Sequence, residues 1–357
     1  MTLIAFYVII YTLLTKFIMK ILLFLIFLAV DLSAASTPVW GAPTKVKVTT
    51  FAVNDYDIYR YRHGIANEHA LPGLDNSVIH EQTFVDELFS ALGKKYPGKK
   101  KYKDTYASGK NKSATAQRFR EAVLYNSEFV FFSGHGDQQE LLLYDYSIRL
   151  RGRCCCDRGD EACFKASGLN NTDVCPSSGY ACANDEYGKV YGGDTRWVIL
   201  DACLTLNVNK SNQISKPLSI ENIDFTKVDQ LRSVFSGVHA ILGFYSDGKQ
   251  GTLHINNKYV DTRWLYQYFV ENFIEKKETV WNSFSKACAR IVDDFENIIG
   301  LQPAIAFLRG YDKNGVYHDT STETFDRTYN KPIQIDGSIE LFIMYEKYGI
   351  PTYHDNP

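Results

Sequence analysis

Residues 128–137 read EFVFFSGHGD and residues 196–203 read RWVILDAC. Each is a short, continuous apolar run, Phe129 to Phe132 and Trp197 to Leu200, that stops at small or polar, reactive residues. An unbroken run of this length reads as a strand buried on both faces, as in the middle of a parallel sheet. Ser133-Gly134-His135-Gly136 is then the loop after the first strand, and Asp201-Ala202-Cys203 ends the second. In a parallel sheet with right-handed crossovers such ends share one edge, where active-site loops gather. His135 and Cys203 thereby become candidate partners, although they are far apart in sequence. A thiol of ordinary pKa, about 8.5, is only a few per cent thiolate near neutrality, so a nucleophilic cysteine needs an imidazole or another positive influence. Gly134 and Gly136 allow a tight turn around His135 and a close substrate approach, which makes the N–H groups of Gly136 and Cys203 candidate oxyanion donors.

Working outward, KVKVTTFAV at 45–53 alternates and is β-branched, which predicts a first strand. Phe84, Leu88 and Leu92 stand at helical spacing within 80–93, and the basic stretch KKYPGKKKYKD after them reads as a solvated turn or loop. A helix over 113–125 leads into the first apolar strand, and LLLYDYSIRL at 141–150 is a further strand candidate. Residues 231–247 read as a helix end, a turn at Ser236-Gly237 and a third buried strand. Helices over about 261–275 and 278–297 follow, then a fourth strand in PAIAFLRGYD and an edge strand or hairpin in SIELFIMYE. Alternation of this kind predicts an α/β domain over 44–357, a mainly parallel sheet flanked by helices on both faces.

Composition bounds the partners. The chain has 357 residues, 45% hydrophobic, with 39 Lys plus Arg against 41 Asp plus Glu, a net charge of -2. That balance offers no field to hold a phosphate backbone, so nucleic acid is not an expected partner. Lys20, the apolar run 21–30 and the small residues at Ser33-Ala34-Ala35 have the three parts of a secretory signal. Residues 1–35 are therefore expected to be a cleaved signal peptide and the protein secreted, with a membrane anchor as the alternative if the segment is retained. Six of the eight cysteines, Cys154, Cys155, Cys156, Cys163, Cys175 and Cys182, crowd one region, so residues 151–193 read as a disulfide-rich insertion whose pairing stays open. The cluster holds no His and its three consecutive cysteines are poorly spaced for zinc, so no metal is expected. Asn111, Asn170 and Asn209 begin glycosylation tripeptides. Arg158-Gly159-Asp160 is better explained by chance than by receptor binding.

The strand ending in His-Gly and the strand ending in Asp-Ala-Cys together resemble the catalytic core of the caspase-like (clan CD) cysteine peptidases. That group contains caspases, metacaspases, legumains, gingipains and separases. VFSGVHAILGFYSD at 234–247 and the helices after it are similar to the corresponding half of gingipain-like and CHAT-type domains, and the resemblance covers about residues 115–310. It implies a caspase-like fold, Cys203 as nucleophile, His135 as general base or proton donor, and Gly136 as an oxyanion contributor. Asp201 corresponds to the acidic residue two positions before the nucleophile in metacaspases, where it lines a pocket for a basic side chain. Asp247 is a second candidate for that wall, and the implied activity is an endopeptidase cutting proteins or peptides after Arg or Lys. A carboxylate there suits a guanidinium or ammonium group. No cofactor is implied.

This chain departs from several relatives in carrying Leu204-Thr205-Leu206 after the cysteine, where a small Ser or Gly is common. That bulk either crowds the substrate path or packs beneath it. A rival reading follows: a catalytically idle secreted binding protein whose cysteine-rich insertion contacts a partner. A lone cysteine at a strand end is more often a small buried hydrophobe than a nucleophile, and a disulfide between Cys203 and Cys288 is a third possibility. Cys288, aligned with Phe284 and Ile291, reads as core packing, as does His239 within its apolar strand.

Overall fold

A computed structural model describes residues 40–56, 74–107, 127–137, 140–144, 147–149, 195–208, 237–246, 252–255, 258–294, 301–329, 338–347 and 350–354, with scattered residues in 114–122 and 223–235 and at 333. The expected signal segment, the cysteine-rich insertion, Asn111, Asn170, Asn209 and Asp247 lie outside these residues. Among the described residues no helix is long and apolar enough to cross a membrane.

The first strand, β1, spans Lys45–Ala52, and helix α1 spans Asp75–Lys95. Phe84, Leu88 and Leu92 recur every four residues along α1 and are fully buried. Lys94 and Lys95 occupy its last turn, where positive charge opposes the helix dipole, and Pro97-Gly98 follows. The chain then forms β2, Lys100–Ala107, parallel to β1 in the register Lys45↔Lys100. This corrects the expectation of a basic loop. The strand β2 lies at the edge of the sheet, where lysines blunt an exposed row of backbone groups and break the continuous apolar run that marks an inner strand.

The two deciding runs are β3, Phe129–Ser133, and β4, Trp197–Asp201, and the third is β5, Ala240–Phe244; every residue of all three is buried. Pairing is parallel throughout β2, β1, β3, β4 and β5. Helix α2, Trp264–Val270, runs on into a wider turn at Glu271–Glu275, and α3 spans Val280–Asp294. Strands β6, Pro303–Tyr311, β7, Glu340–Lys347, and β8, Ile350–His354, complete the sheet in the order β8-β7-β6-β5-β4-β3-β1-β2, with Tyr317–Asp319 paired to β6. These last strands pair antiparallel, so the sheet is mixed although mostly parallel in its first half. The expected single strand over 141–150 is two short ones, Glu140–Leu142 and Ser147–Arg149, in a small separate sheet with Gly136–Asp137.

Both faces are covered, which is why β3 to β5 are apolar on successive residues rather than alternate ones. Phe129, Phe131, Trp197 and Ile199 meet side chains of α1, α2 and α3. Val130, Phe132, Val198 and Leu200 pack on the other face with Phe119, Ala122, Val228 and Leu231, which are helical. Burying each large apolar side chain contributes about 1.5–3 kcal/mol, enough in sum to carry the polar groups held near the carboxyl edge.

Candidate functional site

Strands β3 and β4 pair with Ser133 directly beside Asp201, so His135 and Cys203 each lie two residues past one matched pair. The Gly134 N–H donates to the Asp201 carbonyl at 3.2 Å, which extends the join by one residue into the His135 loop. His135 and Cys203 are both partly exposed, unlike the fully enclosed strands that deliver them. Beyond His135 the loop is fastened by the Leu142 N–H, which donates to the His135 carbonyl at 3.0 Å, and by the pairing of Gly136 with Leu141. On its other side the His135 N–H donates to the Tyr56 hydroxyl at 2.6 Å, and the two rings lie 4.9 Å apart. Gly134 is required here by space: a Cβ on it would stand 2.8 Å from both the Tyr56 hydroxyl and the Phe132 ring.

Cys203 opens a turn. Leu204 has φ 55°, in the left-handed region that a branched side chain seldom adopts. Its N–H donates to the Ser246 carbonyl at 3.0 Å, and the Leu206 N–H to Phe244 at 3.1 Å, lacing the turn onto the end of β5. The Asn207 side-chain amide adds a bond to the Tyr245 carbonyl at 3.0 Å. Leu204, Thr205 and Leu206 are all buried, with the side chains of Thr205 and Leu206 lying against Gly243 of β5.

Asp201, the expected wall residue, ends β4. It is 2% exposed, and its Oδ2 accepts from His80 Nδ1 and from Ser133 Oγ, each at 2.7 Å. His80 Nε2 lies 3.0 Å from the Thr262 hydroxyl, in the turn before α2. The Tyr266 hydroxyl is enclosed nearby; burial, and then the charge of Asp201, hold its pKa well above 10. Asp247, the other expected wall residue, lies outside the described residues.

No disulfide joins Cys203 and Cys288. Cys288 is 1% exposed on α3, packed in the core as its spacing implied. His239 is likewise a satisfied core residue, with Nδ1 2.9 Å and 3.0 Å from the two Glu323 carboxylate oxygens. Among the described residues no three His, Cys, Asp or Glu side chains are arranged to hold a metal ion.

Sequence reasoning missed Tyr56, His80, Ser133 and Thr262. His80 carried one signal. It lies four residues before Phe84 on the buried stripe of α1, and a polar residue on an apolar stripe needs a partner.

No protein-family model matches the chain, and no curated protein matches it. Three solved structures show similarity to caspase and gingipain folds at low identity. One is a structure of pro-sf-caspase-1, 11% identical over 72% of this chain and 81% of that one, with a TM-score of 0.36. Another is the Arg-specific cysteine proteinase gingipain R, 11% identical, covering 86% of this chain but 65% of that one, at a TM-score of 0.33. A complex of Porphyromonas gingivalis gingipain pro- and mature domains is 10% identical over 90% of this chain and 72% of that one, at 0.32.

Proposed function

We propose that this protein is a cysteine endopeptidase in which Cys203 attacks the scissile carbonyl and His135 moves the protons. The supporting observation is the β3–β4 register, which sets two partly exposed, chemically complementary residues just past one matched pair of strand ends. In the proposed reaction His135 takes the Cys203 proton and the thiolate adds to the peptide carbonyl. The developing oxyanion is met by the N–H groups of Gly136 and Cys203. His135 returns the proton to the leaving amine, the acyl group stays on sulfur, and water activated by the same imidazole releases it. No step calls for a metal or cofactor. With the Asp201 carboxylate turned inward, preference for Arg or Lys rests on Asp247. Export through the N-terminal segment, disulfides and glycosylation belong to the same reading, and protein or peptide is the partner it implies.

The test is turnover of Arg-, Lys- and neutral-residue peptide substrates by the oxidatively folded protein. Cys203→Ala and His135→Ala should each lower turnover at least about a thousandfold with the circular dichroism spectrum unchanged. Equal turnover by Cys203→Ala would remove the assignment.

A further inference from the structure

We infer that Asp201, anchored by His80, is a positioning residue that sets the approach of Cys203 to His135. The inference rests on the proposed Cys203–His135 pair and gives Asp201 a role distinct from substrate binding.

Asp201 touches both loops of that pair at once. Its carboxylate accepts from Ser133, two residues before His135, while its own carbonyl accepts from Gly134, the residue immediately before His135. Cys203 follows two residues later on the same chain. Side chain and main chain of one residue therefore tie the ends of β3 and β4 together where the pairing of the two strands stops and their loops diverge. The anchor continues outward. His80, 1% exposed, donates from Nδ1 to the same carboxylate oxygen, and its Nε2 meets the Thr262 hydroxyl, so α1 and the turn before α2 hold the carboxylate in place. With Asp201 ionised the proton must sit on Nδ1, since a carboxylate only accepts.

Energetics explain why the arrangement calls for a function. Burying a carboxylate is costly unless it is paired and hydrogen-bonded, and apolar residues of equal volume would often be as stable. Ser133, Asp201 and His80 occupy the helix-covered face, whose lower tiers on the same strands are Phe129, Phe131, Trp197 and Ile199. On β3 and β4 the polar side chains of that face, Ser133 and Asp201, stand only at the top tier, directly beneath the loops. Displacement of a reacting group by about 1 Å can cost about a hundredfold in rate, so a rigid tie at this level acts on rate more than on affinity.

The experiment follows alkylation of Cys203 by iodoacetamide as a function of pH, read by peptide mapping so that Cys288 and the other cysteines are scored separately, alongside kcat and KM on a peptide substrate. In the unmodified protein the Cys203 inflection should fall below about 8.5, and His135→Ala should move it back toward that value. His80→Ala and Asp201→Asn should move it part of the way and lower kcat about 10- to 100-fold with KM within about twofold. His80→Asn, whose amide nitrogen takes the place of Nδ1, should restore most of both. Should His80→Ala and Asp201→Asn fail to fold, Ser133→Ala, which removes the Ser133 hydroxyl's bond and leaves that of His80, should shift both readings in the same direction. Asp201→Asn raising KM with kcat unchanged would overturn the inference in favour of substrate binding. A wild-type profile in all these variants, with His135→Ala still shifted, would also overturn it while sparing the catalytic pair. Identical profiles for the unmodified protein and His135→Ala would remove both.

Discussion

Leu204 and Gly243 show how individual residues build the turn that presents Cys203. A leucine at φ 55° stores about 1–3 kcal/mol, offset here by the bonds that lace Leu204 and Leu206 to the end of β5. Those bonds require the turn to lie directly on the strand, and Gly243 makes the room: a Cβ there would stand 2.5 Å from Thr205 Oγ1 and 3.4 Å from Leu206 Cγ. Gly243→Ala is therefore expected to destabilise the fold by about 1–3 kcal/mol and to lower activity, because the turn carrying Cys203 must lift. Thr205→Ala in the same chain removes the atom in the way. The double variant should regain part of the lost stability despite losing the Phe244 N–H bond to Thr205, whereas strict additivity in urea unfolding would contradict this contact.

Among the elements, the amino edge of the sheet offers a pH test independent of the candidate site. Glu128 precedes β3, accepts from the Lys47 N–H of β1 and lies 3.6 Å from Arg196, which precedes β4. Burial raises its carboxyl pKa above 4.5 even against those partners. The folded value thus exceeds the unfolded one, so Glu128 contributes stability below the unfolded pKa, and that contribution is lost as pH rises through the folded pKa. Glu128→Gln keeps an oxygen for the Lys47 N–H and never ionises. Its thermal midpoint should exceed that of the unmodified protein at neutral pH, and the gap should close below about pH 4.5. A lower midpoint at neutral pH would mean that the Arg196 pairing outweighs burial. Strands β3, β4 and β5 were readable because cover on both faces makes them uniformly apolar. Strand β2 was not, since lysines serve an edge and mimic a loop, and the antiparallel entry of β6 leaves no mark in its apolar run.

Across the whole molecule the sheet separates two buried histidine–carboxylate pairs. His239 and Glu323 sit at the amino edge, where Thr328 and the Tyr329 N–H join them and fasten residues 320–329 to the core. His80 and Asp201 sit at the carboxyl edge, beneath His135 and Cys203. His135 and Cys203 could be picked out from sequence because each ends an apolar run whose place in a parallel sheet fixes its edge. Tyr56 and His80 could not, because they reach that edge from β1 and α1, whose own patterns say nothing about strands β3 and β4. The partners of the Asp201 side chain were hidden for a related reason: its position two residues before Cys203 is plain, but what meets it on its face of β4 depends on the packing of the finished sheet. The most direct test of the proposed chemistry is intact-mass and peptide-level mapping of the folded protein after treatment with a peptidyl acyloxymethyl ketone. One adduct on Cys203, lost in His135→Ala and absent from Cys288, is the expected result. No adduct on Cys203, or equal labelling with and without His135, would contradict it.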